Sequence, residues 1–90
     1  RGLGDVYKRQ LSDGEYEVIE AEIIETSELI NKEIKNSNLP DELRIGAVLR
    51  DEKIIIPRSN FVFKKDDRVV FIVKKDSISF VENIFRLSSV

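Results

Sequence analysis

The chain has no cysteine and no histidine. Disulfides are therefore absent, and most zinc sites and the commonest catalytic base are excluded together. The lack of thiols also agrees with a reducing compartment. No apolar run approaches the roughly 18 residues that a membrane-spanning helix needs. Positive charge is not in excess: 15 basic and 17 acidic residues give a net charge of −2. The two signs alternate along the chain without a basic stripe. Phosphate-backbone binding has no electrostatic footprint, and nucleic acid is not an expected partner. No enzyme is expected either, because the serines fall in turns, caps or tails with no histidine to activate them.

What remains is the composition of one small folded unit, 90 residues long with 41% hydrophobic residues. A chain of this length buries only about 60–65% of its unfolded surface, so a partner surface is expected.

The organising stretch is Leu43 to Val73, read as three short strands joined by charged turns. Leu43 to Arg50 places Leu43, Ile45, Ala47 and Leu49 on one face. Lys53 to Pro57 follows with three consecutive β-branched isoleucines. The run Val69-Val70-Phe71-Ile72-Val73 predicts a strand covered on both faces. Upstream, Glu15 to Ile24 predicts a strand with Tyr16, Val18, Glu20 and Glu22 on an acidic face and Ile19, Ala21 and Ile23 on the other. Its glutamates read as a solvated face rather than a metal or acid–base pair, since no third ligand type accompanies them.

Thr26-Ser27 predicts a helix N-cap, with Leu29, Ile30 and Ile34 as the apolar stripe and Asn36-Ser37-Asn38 before Pro40 as the stop. Asp76-Ser77 predicts a second cap and a helix to about Arg86, buried through Ile78, Phe80, Val81, Ile84 and Phe85. Glu82 and Arg86 stand four apart on its outer side. Phe61, Phe63, Phe71, Phe80 and Phe85 are the expected core anchors. The fold class is α+β: a two-layer β-α-β-β-β-α domain with a small, mostly antiparallel or mixed sheet.

Residues 1–10, RGLGDVYKRQ, show no hydrophobic period. Asp5 to Gln10 is what GAT GTG TAT AAG AGA CAG encodes, which resembles a transposon end used in sequencing adapters. The expectation is that residues 1–10 are a non-native leader outside the fold, and that residues 11–90 form the domain.

Laid out in this order, Glu15 to Leu87 resembles the TrkA C-terminal domain family, also called RCK C-terminal domains. The resemblance is carried by EVIEAEIIETSELINKEI, by NLPDELRIGAVLRDEKIIIPRSNFVFKKDDRVVFIV and by FVENIFRLS. Within them stand Ile-Gly-Ala-Val-x-Arg at 45–50, Ile-Ile-Pro-Arg at 55–58 and Val-Glu-x-x-Phe-Arg at 81–86. No single motif is catalytic; the ordered series is what is specific. One departure is Asp66-Asp67, where the family usually has Gly-Asp. Gly takes a positive φ there freely and Asp at some penalty, so a retained turn with slight strain is expected.

The resemblance implies the C-terminal regulatory domain of a cytoplasmic TrkA-like subunit controlling potassium uptake through a membrane channel. Such subunits lie at the inner face of the membrane and carry an N-terminal Rossmann domain with an NAD or ATP site. No Gly-x-Gly-x-x-Gly occurs here, so no cofactor is expected on this segment. The resemblance also implies homodimer or interdomain pairing, and in some relatives a cyclic di-AMP site between two copies. Ile55, Ile56, Pro57, Arg58 and Asn60 are the candidate site, with an apolar ledge for a base and Arg58 as a fork for phosphate. Arg50 is a second candidate phosphate contact. The alternative is a cyclic di-AMP-type sensor domain of another cation transporter or exchanger.

Overall fold

The computed structural model describes residues 7–12, by backbone alone, and residues 14–85. Five strands form one sheet: β1 (Tyr7–Ser12), β2 (Tyr16–Glu22), β3 (Leu43–Arg50), β4 (Lys53–Ile55) and β5 (Arg68–Lys74), in the order β1-β2-β5-β3-β4. Every pairing is antiparallel, so the mixed alternative is set aside. Among the described residues one α-helix, α1 (Ile78–Phe85), covers one face and completes a two-layer α+β domain. It follows a 3-10 turn over Lys75–Ser77.

The inner face follows from period-two patterning. Glu17, Ile19 and Ala21 on β2 alternate with Val18, Glu20 and Glu22, and only the first set is buried. Val69, Phe71 and Val73 do the same on β5. From α1, Val81, Ile84 and Phe85 close the core, with the Phe85 ring stacked on Phe71 at 5.1 Å between centroids. Such a pair adds about 1 kcal/mol beyond its burial.

The sheet departs from the sequence expectation on β5. It has a strand on either edge, but the face away from the helix is open among the described residues, and Ile72 is exposed there. A continuous apolar run was a sign of centrality in the sheet, not of cover on both faces. On β3, Leu43 and Ile45 pair with Val73 and Phe71, whereas Ala47 pairs with Val70. The register shift between Ile45 and Ala47 inserts Gly46 as a bulge, so Ala47 and Leu49 leave the face that Leu43 occupies. Phe80 is half-exposed and no core anchor.

The expected first helix is not α-helical. Residues 25–31 run through turns, Asn31 takes a φ of 68°, and a 3-10 turn covers Ile34–Asn36. A left-handed residue interrupts α propagation. The backbone groups there also find partners far away, through Asn31 N–H to the Phe63 carbonyl (2.8 Å) and Ile34 N–H to the Phe61 carbonyl (2.9 Å). The apolar stripe still does its work, since Leu29 is buried and Ile30 and Ile34 pack against the core. The expected cap Asp76-Ser77 falls within the 3-10 turn that precedes α1, and the Ser77 hydroxyl is turned toward the Glu42 carboxylate at 3.5 Å. The Glu82–Arg86 pair lies partly outside the described residues.

Tyr7–Gln10, left out of the fold by the sequence reading, run in β1. Tyr7 pairs with Ala21 and Arg9 with Ile19.

Candidate functional site

Two surfaces concentrate the chemistry. The first is the free edge of β4. Asp51 and Glu52 both take positive φ, 53° and 66°, giving the tight two-residue turn that folds β4 back on β3. β4 is last in the sheet, so its outer backbone groups have no strand beside them among the described residues. Ile54 and Ile56 are 73% and 75% exposed, the most exposed large apolar residues described. Ile55 pairs with Val48 and is half-buried, as is Pro57. Arg58, Ser59 and Asn60 are exposed in a turn closed by Phe61 N–H to the Arg58 carbonyl, 2.9 Å. The structure therefore puts Ile55, Ile56, Pro57, Arg58 and Asn60 on one edge, without a described cavity among them.

Arg50 is not with them. Its Nε and Nη2 donate to the two carboxylate oxygens of Asp67 at 2.8 and 2.7 Å, and Nη2 also donates to the Val62 carbonyl at 2.8 Å. Its guanidinium lies 4.7 Å from the centre of the Phe61 ring. The Asp67 side chain is 1% exposed, and it also accepts the Lys64 N–H at 2.8 Å. Hydrogen bonding to Asp67 raises the Arg50 pKa above its ordinary value; burial opposes this, and the charges of Asp67 and Asp51 reinforce it. The Nε and Nη2 donors of Arg50 are thus used inward, while its side chain stays 26% exposed.

The second surface is a groove of about 410 Å³ that sequence reasoning missed. Ile34, Leu39, Pro40, Leu43 and Ile45 supply apolar lining, and Lys35 and Arg44 supply two cations, with Asn38 and Asp41 between them. Arg44 is held by donation from Nη1 to the Asp41 and Leu43 carbonyls at 2.6 and 2.9 Å. Asn38, at a φ of 55°, lies between Lys35 and Arg44 in the chain, and all three line the same groove. The sequence carried a signal in Asn38 and Pro40, but only as a stop, not as part of a groove lining. A smaller cavity of about 180 Å³ lies beside Gly46, against Val70 and Ile72.

Among the described residues no group of three or more acidic, histidine or cysteine side chains is placed to hold a metal. Glu20 lies 2.8 Å from Arg68 as an ion pair. The buried serines serve the backbone: the Ser37 hydroxyl donates to the Glu33 carbonyl and that of Ser27 to the Ile84 carbonyl. No described helix is long and apolar enough to cross a membrane.

An antiparallel sheet under one helix is the fold of the RCK C-terminal class. Residues 18–86 match the family model described as the TrkA-C domain, and the chain belongs to that family. It is 41% identical over 78 residues to the Trk system potassium uptake protein TrkA of Azorhizobium caulinodans, covering 87% of this chain and 17% of that protein. The chain thus spans about a sixth of the length of that curated relative. The RCK_C domain dimer of S. agalactiae BusR in complex with c-di-AMP superposes with a TM-score of 0.66. It is 25% identical and covers 76% of this chain and 93% of that one. S. agalactiae BusR in complex with its busAB-promotor DNA is similar in fold, with a TM-score of 0.68, 23% identity and coverage of 90% and 42%.

Proposed function

We propose that this domain is the C-terminal regulatory part of a TrkA-like subunit that controls potassium uptake through a membrane channel, contributing assembly and effector sensing. The subunit would sit at the cytoplasmic face of the membrane through its channel partner. Its nucleotide, NAD or ATP, would bind a Rossmann domain elsewhere in the protein. The relatives' names support the potassium role.

The observation that carries the assembly role is the free β4 edge, with Ile54 and Ile56 about three-quarters exposed. Exposed apolar edge strands are templates for pairing, and a second copy or a neighbouring domain satisfies both the backbone and the isoleucines. The groove supports effector sensing, because two cations over an apolar lining suit a ligand with phosphates and bases. A cyclic dinucleotide has both, and it would reach Ile55, Ile56, Pro57, Arg58 and Asn60 only once a second copy closes the site.

Calorimetry with cyclic di-AMP tests this reading. Heat that disappears in Arg58→Ala places the ligand at the edge; heat that disappears in Lys35→Ala or Arg44→Ala places it in the groove. No heat at high micromolar ligand ends the effector reading. The second reading is a cyclic di-AMP sensor on another cation transporter or exchanger, and the likeness to the BusR dimer in complex with c-di-AMP supports its ligand alone. DNA binding is not part of either reading, since the chain carries no basic stripe. Residues 1–10 are proposed to be foreign to the natural domain; a sequencing read across the Leu11 codon in the source DNA decides it.

A further inference from the structure

The 61–64 segment is gripped from two sides. Arg50 donates to the Val62 carbonyl and lies over the Phe61 ring, while Asp67, locked by the Arg50 fork, accepts the Lys64 N–H. The same segment holds the groove wall. Asn31 N–H donates to the Phe63 carbonyl, Phe63 N–H to the Lys32 carbonyl and Ile34 N–H to the Phe61 carbonyl, all at 2.8–3.0 Å. Lys35 N–H continues the series to the Ser59 carbonyl at 2.9 Å. Ile34 and Lys35 line the groove. Residues 31–35 are neither α-helix nor part of the main sheet, so these long-range bonds fix their place where a helix would have fixed itself.

We infer that Arg50 is a positioning residue for the groove: with Asp67 it sets residues 61–64, and through them the wall that presents Ile34 and Lys35. Arg50 touches no ligand in this role, although it acts on the site proposed above as the effector groove. A planar fork specifies a geometry that a lysine ammonium does not reproduce. Arg50→Lys therefore keeps the charge and loses the register. Asp67→Asn keeps the shape and weakens the same fork from the other side.

The test is amide hydrogen exchange on the full chain, read residue by residue, for the wild type, Arg50→Lys and Asp67→Asn. The expected result is exchange accelerated about tenfold more at Asn31, Ile34, Lys35, Phe63 and Lys64 in both variants than at the amides that join β2 to β5. The double variant should be no faster than the worse single one, because both act on one grip. Uniform acceleration across the sheet, or none at residues 31–35, overturns the inference and leaves Arg50 with global stability alone. Cyclic di-AMP calorimetry on the same proteins should show about tenfold weaker binding in each single variant. If wild type gives no heat, the effector reading fails, while the exchange pattern still decides whether Arg50 positions the wall. If wild type binds and Arg50→Lys binds equally well, the positioning role is wrong.

Discussion

Ser27 and Ile84, 57 residues apart in sequence, are joined by a 3.0 Å hydrogen bond from the Ser27 hydroxyl to the Ile84 carbonyl oxygen. The same Ser27 oxygen accepts the Leu29 N–H at 3.1 Å. One buried hydroxyl thus serves a backbone donor in the 25–31 turns and a backbone acceptor near the end of α1, tying the helix to the loop beneath it. Ser27→Ala removes both bonds and leaves two backbone groups buried. Each unsatisfied group costs about 1–3 kcal/mol, so a loss of at least about 2 kcal/mol is expected. Urea unfolding of the two proteins measures it; a loss under about 0.5 kcal/mol, the usual size of a surface change, would show that water replaces both bonds.

Asp66 sits at a φ of 74°, at the position where the family resemblance pointed to Gly. The strain of a left-handed L-residue, partly relieved for Asp, exceeds the extra freedom that Gly brings to the unfolded chain. Its contact with Lys65, at 4.0 Å between exposed groups, adds little. Asp66→Gly should therefore stabilise by about 0.5 kcal/mol, seen as a rise of about 2–4 °C in Tm for a domain of this size. Glu52, at 66° and without the short side chain that eases Asp, should gain more from the same substitution. A fall in Tm for Glu52→Gly would refute the strain account.

The Arg50–Asp67 pair yields a prediction with a defined pH behaviour. Removing one member of a well-buried pair costs about 3 kcal/mol, because the other is left uncompensated. Arg50→Ala strands the almost fully buried Asp67 with the Lys64 amide. The Arg50 pKa is raised in the folded state, so its contribution is complete below the unfolded value and is lost only as pH climbs through the still higher folded value. That window lies beyond the alkaline end of ordinary work. The difference in stability between wild type and Arg50→Ala should be constant from about pH 8 to pH 10, above the range in which a stranded buried carboxylate takes up a proton. A difference that shrinks across that range would mean that the pair is not what Arg50 supports.

Much of this fold could be read in the residues before the structure was seen, for reasons that are local. Ile19, Ala21 and Ile23 alternate with charged or exposed neighbours, so β2 and its buried face followed from period two. The turn at Asp66 followed from what a Gly position demands. What escaped were long-range choices. Leu29, Ile30 and Ile34 suit a helical stripe, yet the backbone N–H groups of Asn31, Ile34 and Lys35 donate to the carbonyls of Phe63, Phe61 and Ser59, which nothing in their own neighbourhood reveals. Gly46 in β3 is a bulge that moves Ala47 and Leu49 off the inner face, and a single glycine in a strand only hints at it. The candidate edge at residues 55–60 was legible as a motif, but the groove was not. Lys35 and Arg44 lie nine residues apart, and only the folded chain sets them in the lining of one groove. β1 needs no hydrophobic period, because an edge strand can be held by backbone pairing alone.

The β4 edge gives the prediction that bears most directly on assembly. Ile54 and Ile56 stand two residues apart, on the same side of the chain, and each leaves about three-quarters of its surface in solvent. Substitutions at such positions change the stability of the isolated domain by within about 0.5 kcal/mol. The same substitutions place a charge where a partner's apolar edge would lie, and unpaired charge at an interface core costs several times that. Ile54→Glu and Ile56→Glu should therefore leave urea unfolding of the dilute protein nearly unchanged. Sedimentation velocity across a concentration series should show the wild type associating and the double variant remaining monomeric. Self-association that survives both substitutions would assign assembly to another surface; the open face around Ile72 would be next to test, with Ile72→Glu as its variant.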